Sequence, residues 1–262
     1  MVTGASSGIG EAFAVSLASG GHPLLLVARR EERLRELSRA LAERHGVEVG
    51  FCVADLGTER GRRTCRDAVD AVGGSVDVAV LNAGFGALGT IAEVGRGRQT
   101  SMVALNCEAV VDLACHVLPG MTANGRGTIV VVSSAAASQP IPYMATYAAT
   151  KAFELFFTEA LAVELAGTGV RAIAVCPGPT ATEFSQASGS TAYGPRFMPR
   201  ETADSVVEAT WKALSRGRRR VATGPLAKVS TLLASVFPRR VVISVAGALH
   251  RRFAKRDRIE GV

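Results

Sequence analysis

The chain has 262 residues, 48% hydrophobic and 20% charged, which excludes a disordered or fibrous chain and suits one compact α/β domain with at most a small appendage. The net charge of +7 is unevenly placed. Residues 216–262 hold 12 Lys/Arg against 2 Asp/Glu, leaving 18 and 21 for the remainder, so the basic character belongs to the tail.

Val2-Thr3-Gly4-Ala5-Ser6-Ser7-Gly8-Ile9-Gly10 opens the chain with the spacing G-x-x-x-G-x-G. Gly4 permits a tight turn, Gly8 lets backbone approach a pyrophosphate, and Gly10 permits close helix packing. A helix starting near Gly8 offers free N–H groups to phosphates, which makes Ser6, Ser7 and Ile9 candidate contacts too. Only Met1 and Val2 precede the turn. The first, central strand is therefore expected to be a stub, with a start assigned too late as the favoured reason.

Pro23 to Ala28 reads as a buried strand. It ends in Arg29-Arg30, and a charged helix follows from about Glu31 to Arg44. An acid at such a strand end binds ribose hydroxyls, whereas arginine accommodates a 2′-phosphate. No acid stands at Ala28 or Arg29, and cations are unfavourable at a helix N-terminus, so the pair favours NADP(H) over NAD(H). Val47 to Ala54 reads as the third strand. Asp55-Leu56 follows; Asp55 is a candidate for the adenine amino group or the cap of a helix over Thr58 to Val72. Val76 to Leu81 is the fourth strand, and Asn82-Ala83-Gly84 a turn suited to passing a cofactor.

Arg98 to Leu118 has helical periodicity and holds Asn106, a polar residue that needs a buried hydrogen bond or a water in such a setting. Thr128 to Val132 is the fifth strand, followed by Ser133-Ser134. Tyr147 and Lys151 are four apart, hence on one face of a helix. A phenol has a reference pKa near ~10; an adjacent ammonium lowers it and readies the group for proton transfer. Phe153, Phe156, Phe157 and Leu161 lie on other faces of this helix, as expected if it packs both on the sheet and on another subunit. Val170 to Cys176 is the sixth strand, ending in Pro177-Gly178-Pro179-Thr180. Residues 181–200 read as a mobile lid with apolar teeth at Phe184, Tyr193, Phe197 and Met198.

The alternation of strands and helices predicts a doubly wound, mainly parallel sheet of Rossmann type, with helices on both faces and ligands at the carboxyl ends of the strands. Gly4–Gly10, Arg29, Asp55, Asn82, Ser134 and Pro177–Thr180 all fall at such ends. Five scattered cysteines (Cys52, Cys65, Cys107, Cys115, Cys176) point to reduced thiols in a cytoplasm. The histidines (His22, His45, His116, His250) are isolated, so no metal site is expected. No signal peptide is visible, and the apolar run Val241 to Leu249 is too short to span a bilayer.

Thr3-Gly4-x-x-x-Gly8-Ile9-Gly10, Asn82-Ala83-Gly84, Asn106, Ser134, Tyr147-x-x-x-Lys151 and Pro177-Gly178 occur in order and at suitable spacing. In these motifs the chain resembles the short-chain dehydrogenase/reductase family over about residues 1–185, the short first strand being the departure. The resemblance implies Tyr147 as general acid-base, Ser134 as holder of the substrate oxygen, and Lys151 as the group that lowers the Tyr147 pKa and binds the nicotinamide ribose. It implies a relay water at Asn106 and the carboxamide at Thr180. The expected activity is an NADP(H)-dependent interconversion of carbonyl and secondary alcohol on an apolar, lipid-like substrate such as a 3-oxoacyl chain or steroid-like ketone. A non-catalytic NADP(H)-binding sensor or scaffold is the alternative, and nucleotide-sugar epimerase or dehydratase chemistry a third reading. A homodimer or homotetramer is expected.

Thr202 to Leu214 reads as a helix and Arg220 to Thr223 as an edge strand, closing a domain over 1–224. Residues 225–262 form a basic amphipathic helical extension broken at Pro238. It reads as a subunit contact or pocket wall, or as a peripheral membrane contact. Stacking aromatics are too sparse for nucleic acid.

Overall fold

Seven parallel strands in the order β3-β2-β1-β4-β5-β6-β7 form the centre of the computed structural model. The structure is described for residues 1–73, 76–184, 188 and 200–260, without the side chains of 253 and 255–260. The strands are β1 (Val2–Thr3), β2 (Leu24–Ala28), β3 (Val49–Val53), β4 (Val78–Leu81), β5 (Gly127–Val132), β6 (Val170–Cys176) and β7 (Arg220–Ala222). They match the strands expected from the sequence to within two residues. The chain winds one way from β1 to β3 and the other way from β4 to β7. The crevice between β1 and β4, beyond their carboxyl ends, is therefore where a doubly wound sheet takes its ligand.

The stub strand holds its place. Val2 pairs with both Leu26 and Val80 and is fully buried, and the Met1 nitrogen donates to the Val78 carbonyl at 2.8 Å. Ladder bonds on both sides and complete burial compensate for shortness.

Period-two alternation sorts the strand side chains into two cores. Leu25, Val27, Ile129 and Val131 face α3 (Glu59–Ala71), α6 (Ala109–Ala123) and α7 (Ala145–Glu164). Leu24, Leu26, Val130 and Val132 face the opposite layer of α1 (Gly8–Ser19), α2 (Glu31–His45) and α8 (Ala203–Ser215). In that layer Phe13 meets Trp211 edge-on, with ring centres 5.5 Å apart, and the Trp211 indole donates to Ser16 Oγ at 2.9 Å. Truncating such a buried aromatic to Ala costs about 3–5 kcal/mol.

One expected helix is interrupted. Arg98 to Leu118 lies within α5 (Arg96–Val103), a π-turn over Ala104–Glu108, and α6. A short α4 (Ile91–Val94) precedes them, capped by Thr90 and Glu93 in a reciprocal box. By length and composition Arg96–Ala123 could cross a bilayer, but its apolar face is spent on the sheet. The tail divides at Pro238 as expected, into α9 (Gly224–Val236) and α10 (Arg239–Glu260).

Candidate active site

The glycine loop after β1 is built for backbone approach. Gly4 has φ +65°, and a Cβ there would stand 2.7 Å from Asn82 Nδ2. A Cβ on Gly10 would sit 2.3 Å from the Gly4 carbonyl oxygen, so only glycine lets α1 start this close to the turn. Asn82 stitches the loop to β4, its Nδ2 donating to the Thr3 carbonyl at 3.0 Å, while the Asn82 and Ala83 amides donate to Thr3 Oγ1 at 2.9 and 3.1 Å. Thr3 enters the sequence reading only as the first residue of the glycine motif, with no role of its own, yet its hydroxyl joins the two strands flanking the crevice.

At the end of β2, Arg29 is exposed beside the crevice and has no partner among the described residues. Arg30 instead turns back, donating to Ser6 Oγ and the Ser6 carbonyl and pairing with Glu183 at 2.7 Å. Glu183, also 3.5 Å from Arg33, is held below the ordinary carboxylate range chiefly by the Arg30 hydrogen bond. Glu31 and Glu32 in the first turn of α2 offset part of the positive charge at that helix start. Asp55 does not cap α3. Thr58 does, accepting from the Gly61 amide at 3.0 Å, because it stands directly before the first helical residue. Asp55 accepts from the Gly57 amide at 3.0 Å.

Asn106 sits fully buried in the π-turn. Its Oδ1 accepts from the Phe85 amide at 3.2 Å; its Nδ2 donates to the Phe85 carbonyl and to Thr150 Oγ1, both at 3.0 Å. The buried hydrogen bond expected of this residue is thus made to protein groups, and one lone pair of the amide stays open.

Tyr147 and Lys151 lie on the first turns of α7, both buried. Lys151 Nζ donates to the Val132 carbonyl at 2.9 Å and to both oxygens of Glu154 at 3.0 and 2.9 Å. The Glu154 carboxyl is pushed up to about 7 by burial, against the pull of Lys151. Burial also raises the Tyr147 phenol; the Lys151 ammonium and the Ser134 hydroxyl draw it down, and Glu154 adds to the rise. Lysine thus acts in the expected direction, but the net shift is upward because burial dominates and Glu154 offsets the ammonium. Burial opposes the charge on Lys151, yet Glu154 and Tyr147 outweigh it and hold the ammonium above its ordinary value. Ser134 caps the 3₁₀ turn Ala135–Ser138, its Oγ accepting from the Ala136 amide at 3.1 Å. Tyr143, just before α7, has φ +68°, strain for a residue with a side chain.

After β6, the Gly178 amide donates to Glu201 Oε1 at 2.8 Å and Thr180 Oγ1 to the Gly178 carbonyl at 3.0 Å. Within the expected lid, Phe184 lies against Tyr147 with ring centres 5.7 Å apart. The teeth at Tyr193, Phe197 and Met198 fall outside the described residues.

These groups surround a cavity of about 670 Å³. Its wall includes Gly4, Ser6, Ser7, Gly8, Ile9, Arg29, Arg30, Asp55, Leu56, Asn82, Ala83, Gly84, Ser134, Tyr147, Lys151, Pro177, Gly178 and Thr180. Of the residues singled out from the sequence, Gly10 and Asn106 stand behind the wall. The glycine cradle, the volume and the polar groups among the lining fit a dinucleotide. Leu88, Leu105, Ile141, Met144, Phe184, Leu226 and Leu249 supply apolar surface to the rest of the wall, with Gln139, Thr182, Glu183, Arg200, Ser230 and His250 among them. Glu154, Glu183 and Glu201 escaped sequence reasoning. Glu154 alone had a local signal, three residues after Lys151 on one helix face. No cluster of metal ligands occurs among the described residues.

Known proteins with this arrangement lie close in sequence and in fold. The chain is 35% identical over 243 residues to an uncharacterized oxidoreductase of Myxococcus xanthus, covering 91% of this chain and 92% of that protein. It is 34% identical to a very-long-chain 3-oxoacyl-CoA reductase of Anas platyrhynchos over 72% of this chain and 61% of the relative. It spans 17% of the length of another relative, a glycine betaine reductase of Emericella nidulans. Among solved structures, a short-chain dehydrogenase from Sphingobium yanoikuyae in complex with NADPH superimposes with a TM-score of 0.79 at 30% identity, covering 91% of this chain and 95% of that one. One from Burkholderia phymatum in complex with NAD does so with a TM-score of 0.76 at 26% identity, over 88% and 90%. Residues 1–192 match the family described as short chain dehydrogenase. With the glycine cradle, the Tyr147–Lys151 helix and the 3-2-1-4-5-6-7 sheet in one molecule, the chain belongs to the short-chain dehydrogenase family.

Proposed function

We propose that the protein is an NADP(H)-dependent reductase that interconverts a carbonyl and a secondary alcohol on an apolar, lipid-like substrate. The observation that carries this reading is the convergence of Ser134, Tyr147 and Lys151 on a cavity whose wall also carries an apolar set, Leu88, Leu105, Ile141, Met144, Phe184, Leu226 and Leu249, beside polar Gln139, Ser230 and His250.

A bound nicotinamide supplies the hydride that this chemistry requires. The protein's own residues manage geometry and the proton. In reduction, Tyr147 gives its phenolic proton to the carbonyl oxygen, and Ser134 donates a hydrogen bond to the same oxygen as negative charge develops there. Lys151 stabilises the phenolate left behind. The open lone pair on Asn106 is where a relay water would be held. Reduction requires the protonated phenol, and burial shifts the Tyr147 phenol upward, in the direction that favours that form. In oxidation the same groups act in reverse.

Arg29, with no partner among the described residues at the end of β2, supports NADP(H), and the Sphingobium relative is in complex with NADPH. Leu226 and Leu249 on the cavity wall suit an acyl chain or a fused-ring ketone, and the Anas relative is named for a 3-oxoacyl substrate. Phe153, Phe156 and Val163 leave an apolar strip exposed on α7. With no Lys or Arg between residues 152 and 164, that strip suits a homo-oligomer. The five free cysteines suit a reducing compartment such as the cytoplasm.

The test is NADPH oxidation against apolar ketones, aldehydes and 3-oxoacyl thioesters, with NADH and Tyr147→Phe as controls. The reading expects turnover with NADPH that falls about 10²-fold or more in Tyr147→Phe. Tight NADPH binding without turnover on any carbonyl would favour the sensor.

A further inference from the structure

The two tail helices carry an outer surface that neither the cavity nor the sheet uses. Of the fifteen large hydrophobic residues exposed among the described residues, eight lie between Val229 and Leu249. On α9, Val229, Leu232, Leu233 and Val236 repeat at helical spacing and are 47–68% exposed; on α10, which follows directly after Pro238, Val241 and Val245 are exposed as well. A soluble protein that leaves this much aliphatic surface together on two successive helices has a partner for it.

The charge around that surface says which kind. From Lys212 to Arg256 there is not one Asp or Glu, while Lys228, Arg239, Arg240, Arg251 and Arg252 stand on or beside the two helices. Lys228, Arg239 and Arg240 are exposed. A second copy docked here would set two basic surfaces against each other, which like-charge repulsion opposes. The strip on α7 has only Glu159 and Glu164 beside it at the surface, fewer like charges than the tail, and is the better place for a subunit. Apolar side chains bordered by cations, with no acid among them, complement an anionic lipid surface.

The helices are held in a fixed attitude to the active site. A Cβ on Gly247 would stand 3.2 Å from Pro142 Cγ, so α10 packs closely on the loop before α7. Arg251 Nε donates to the Tyr143 hydroxyl at 3.0 Å. Leu226, Ala227 and Ser230 from α9 and Leu249 and His250 from α10 line the cavity. Leu249 is also 41% exposed, which puts the apolar surface at the cavity's rim.

We propose that the outer face of α9 and α10 seats the protein on an anionic phospholipid bilayer. The helices lie in the headgroup region, and the rim of the apolar cavity is held next to the lipid. The seat depends on Leu232, Val236, Arg239 and Arg240, none of which lines the cavity, so the inference stands apart from the choice of substrate.

The experiment is co-sedimentation of the full chain with phosphatidylcholine vesicles, with and without phosphatidylglycerol, at low and high salt, and with no substrate present. The expected result is binding that needs phosphatidylglycerol and weakens with salt. It should fall by at least about tenfold in Arg239→Glu/Arg240→Glu and in Leu232→Ser/Val236→Ser. Turnover of a soluble carbonyl should be unchanged in both variants, and this also reports that they fold. No binding to anionic vesicles, equal binding to neutral ones, or wild-type binding in both variants would overturn the proposal. So would dissociation of an oligomer in Leu232→Ser/Val236→Ser, which would assign the face to a second copy.

Discussion

The ammonium of Lys151 lies 2.9 and 3.0 Å from the two carboxylate oxygens of Glu154, and both side chains are buried. The lysine that serves the catalytic phenol is thus already claimed by an acid one turn further along α7. Around this pair stand the Tyr147 phenol and the thiols of Cys107 and Cys176, both raised mainly by burial. Glu154 contributes to keeping the Tyr147 phenol high. In Glu154→Gln that contribution goes, while an oxygen acceptor remains for Lys151. Alcohol oxidation, which needs the phenolate, should gain its activity at lower pH than in the wild type. Carbonyl reduction, which needs the phenol, should lose its activity at lower pH. A kcat/KM profile that does not move would show that Glu154 only fills space. Glu154→Leu, which strands a buried ammonium, should cost about 3–5 kcal/mol of stability.

Glu183 is the counterpart at the other end of the cavity. It pairs with Arg30 at 2.7 Å and with Arg33 at 3.5 Å, and so presents negative charge near Arg29, the group offered to a 2′-phosphate. Glu183→Gln should therefore lower the KM for NADPH while leaving that for NADH nearly unchanged. Arg29→Ala should raise the KM for NADPH about tenfold, the scale of one charge-assisted hydrogen bond. Steady-state kinetics with both cofactors checks each variant. Equal effects on NADPH and NADH would remove the phosphate from the explanation.

Gly10 offers a test of the cradle that does not touch the chemistry. Its added methyl would collide with the Gly4 carbonyl and with Asn82 Nδ2, both backbone-anchored and unable to move aside. Gly10→Ala should destabilise the protein by about 1–3 kcal/mol, lowering Tm by several degrees, and weaken binding of either cofactor. Gly21, where a Cβ would meet nothing within 4 Å, is the control for space; its φ of +80° gives Gly21→Ala a local strain cost, but cofactor affinity there should hold.

Most of this architecture is legible in the sequence because strand burial and glycine spacing are local signals. β2 announces itself as an unbroken apolar run and β6 as one interrupted only by Arg171, and the Tyr147–Lys151 spacing needs only helical periodicity. What was not legible depends on partners far along the chain. Arg30 and Glu183 are 153 residues apart, and no pattern near either predicts their pairing. The π-turn was hidden because a helical run with one extra residue in a turn keeps nearly the same apolar spacing. The net rise of the Tyr147 phenol, against the expected pull of Lys151, is not legible for a related reason. Spacing reveals that an ammonium is close but not how completely the pair is buried, and burial decides the balance.

The π-turn places Asn106 where one side chain ties three elements together. Its amide joins the Phe85 main chain, just after β4, to Thr150 on α7. A Cβ on Gly84 would stand 3.0 Å from Asn106 Oδ1 and 3.3 Å from Lys151 Nζ, so the turn, the amide and the ammonium are in direct succession. Asn106→Ala leaves the Phe85 amide and carbonyl short of a partner, at about 1–3 kcal/mol for each buried group left unsatisfied, whereas the Thr150 hydroxyl loses one donor but still bonds the Tyr147 carbonyl at 2.9 Å. Asn106→Asp keeps the acceptor but loses the donor and buries a charge, and should be no milder. Thr150→Val removes only one of the three bonds. If Asn106 acts through this junction, the double variant Asn106→Ala/Thr150→Val should cost less than the two single losses added together, because both remove the same bond. Urea unfolding of the four proteins measures that coupling. Strict additivity would mean that the Asn106–Thr150 bond contributes nothing to holding α7 against the turn after β4.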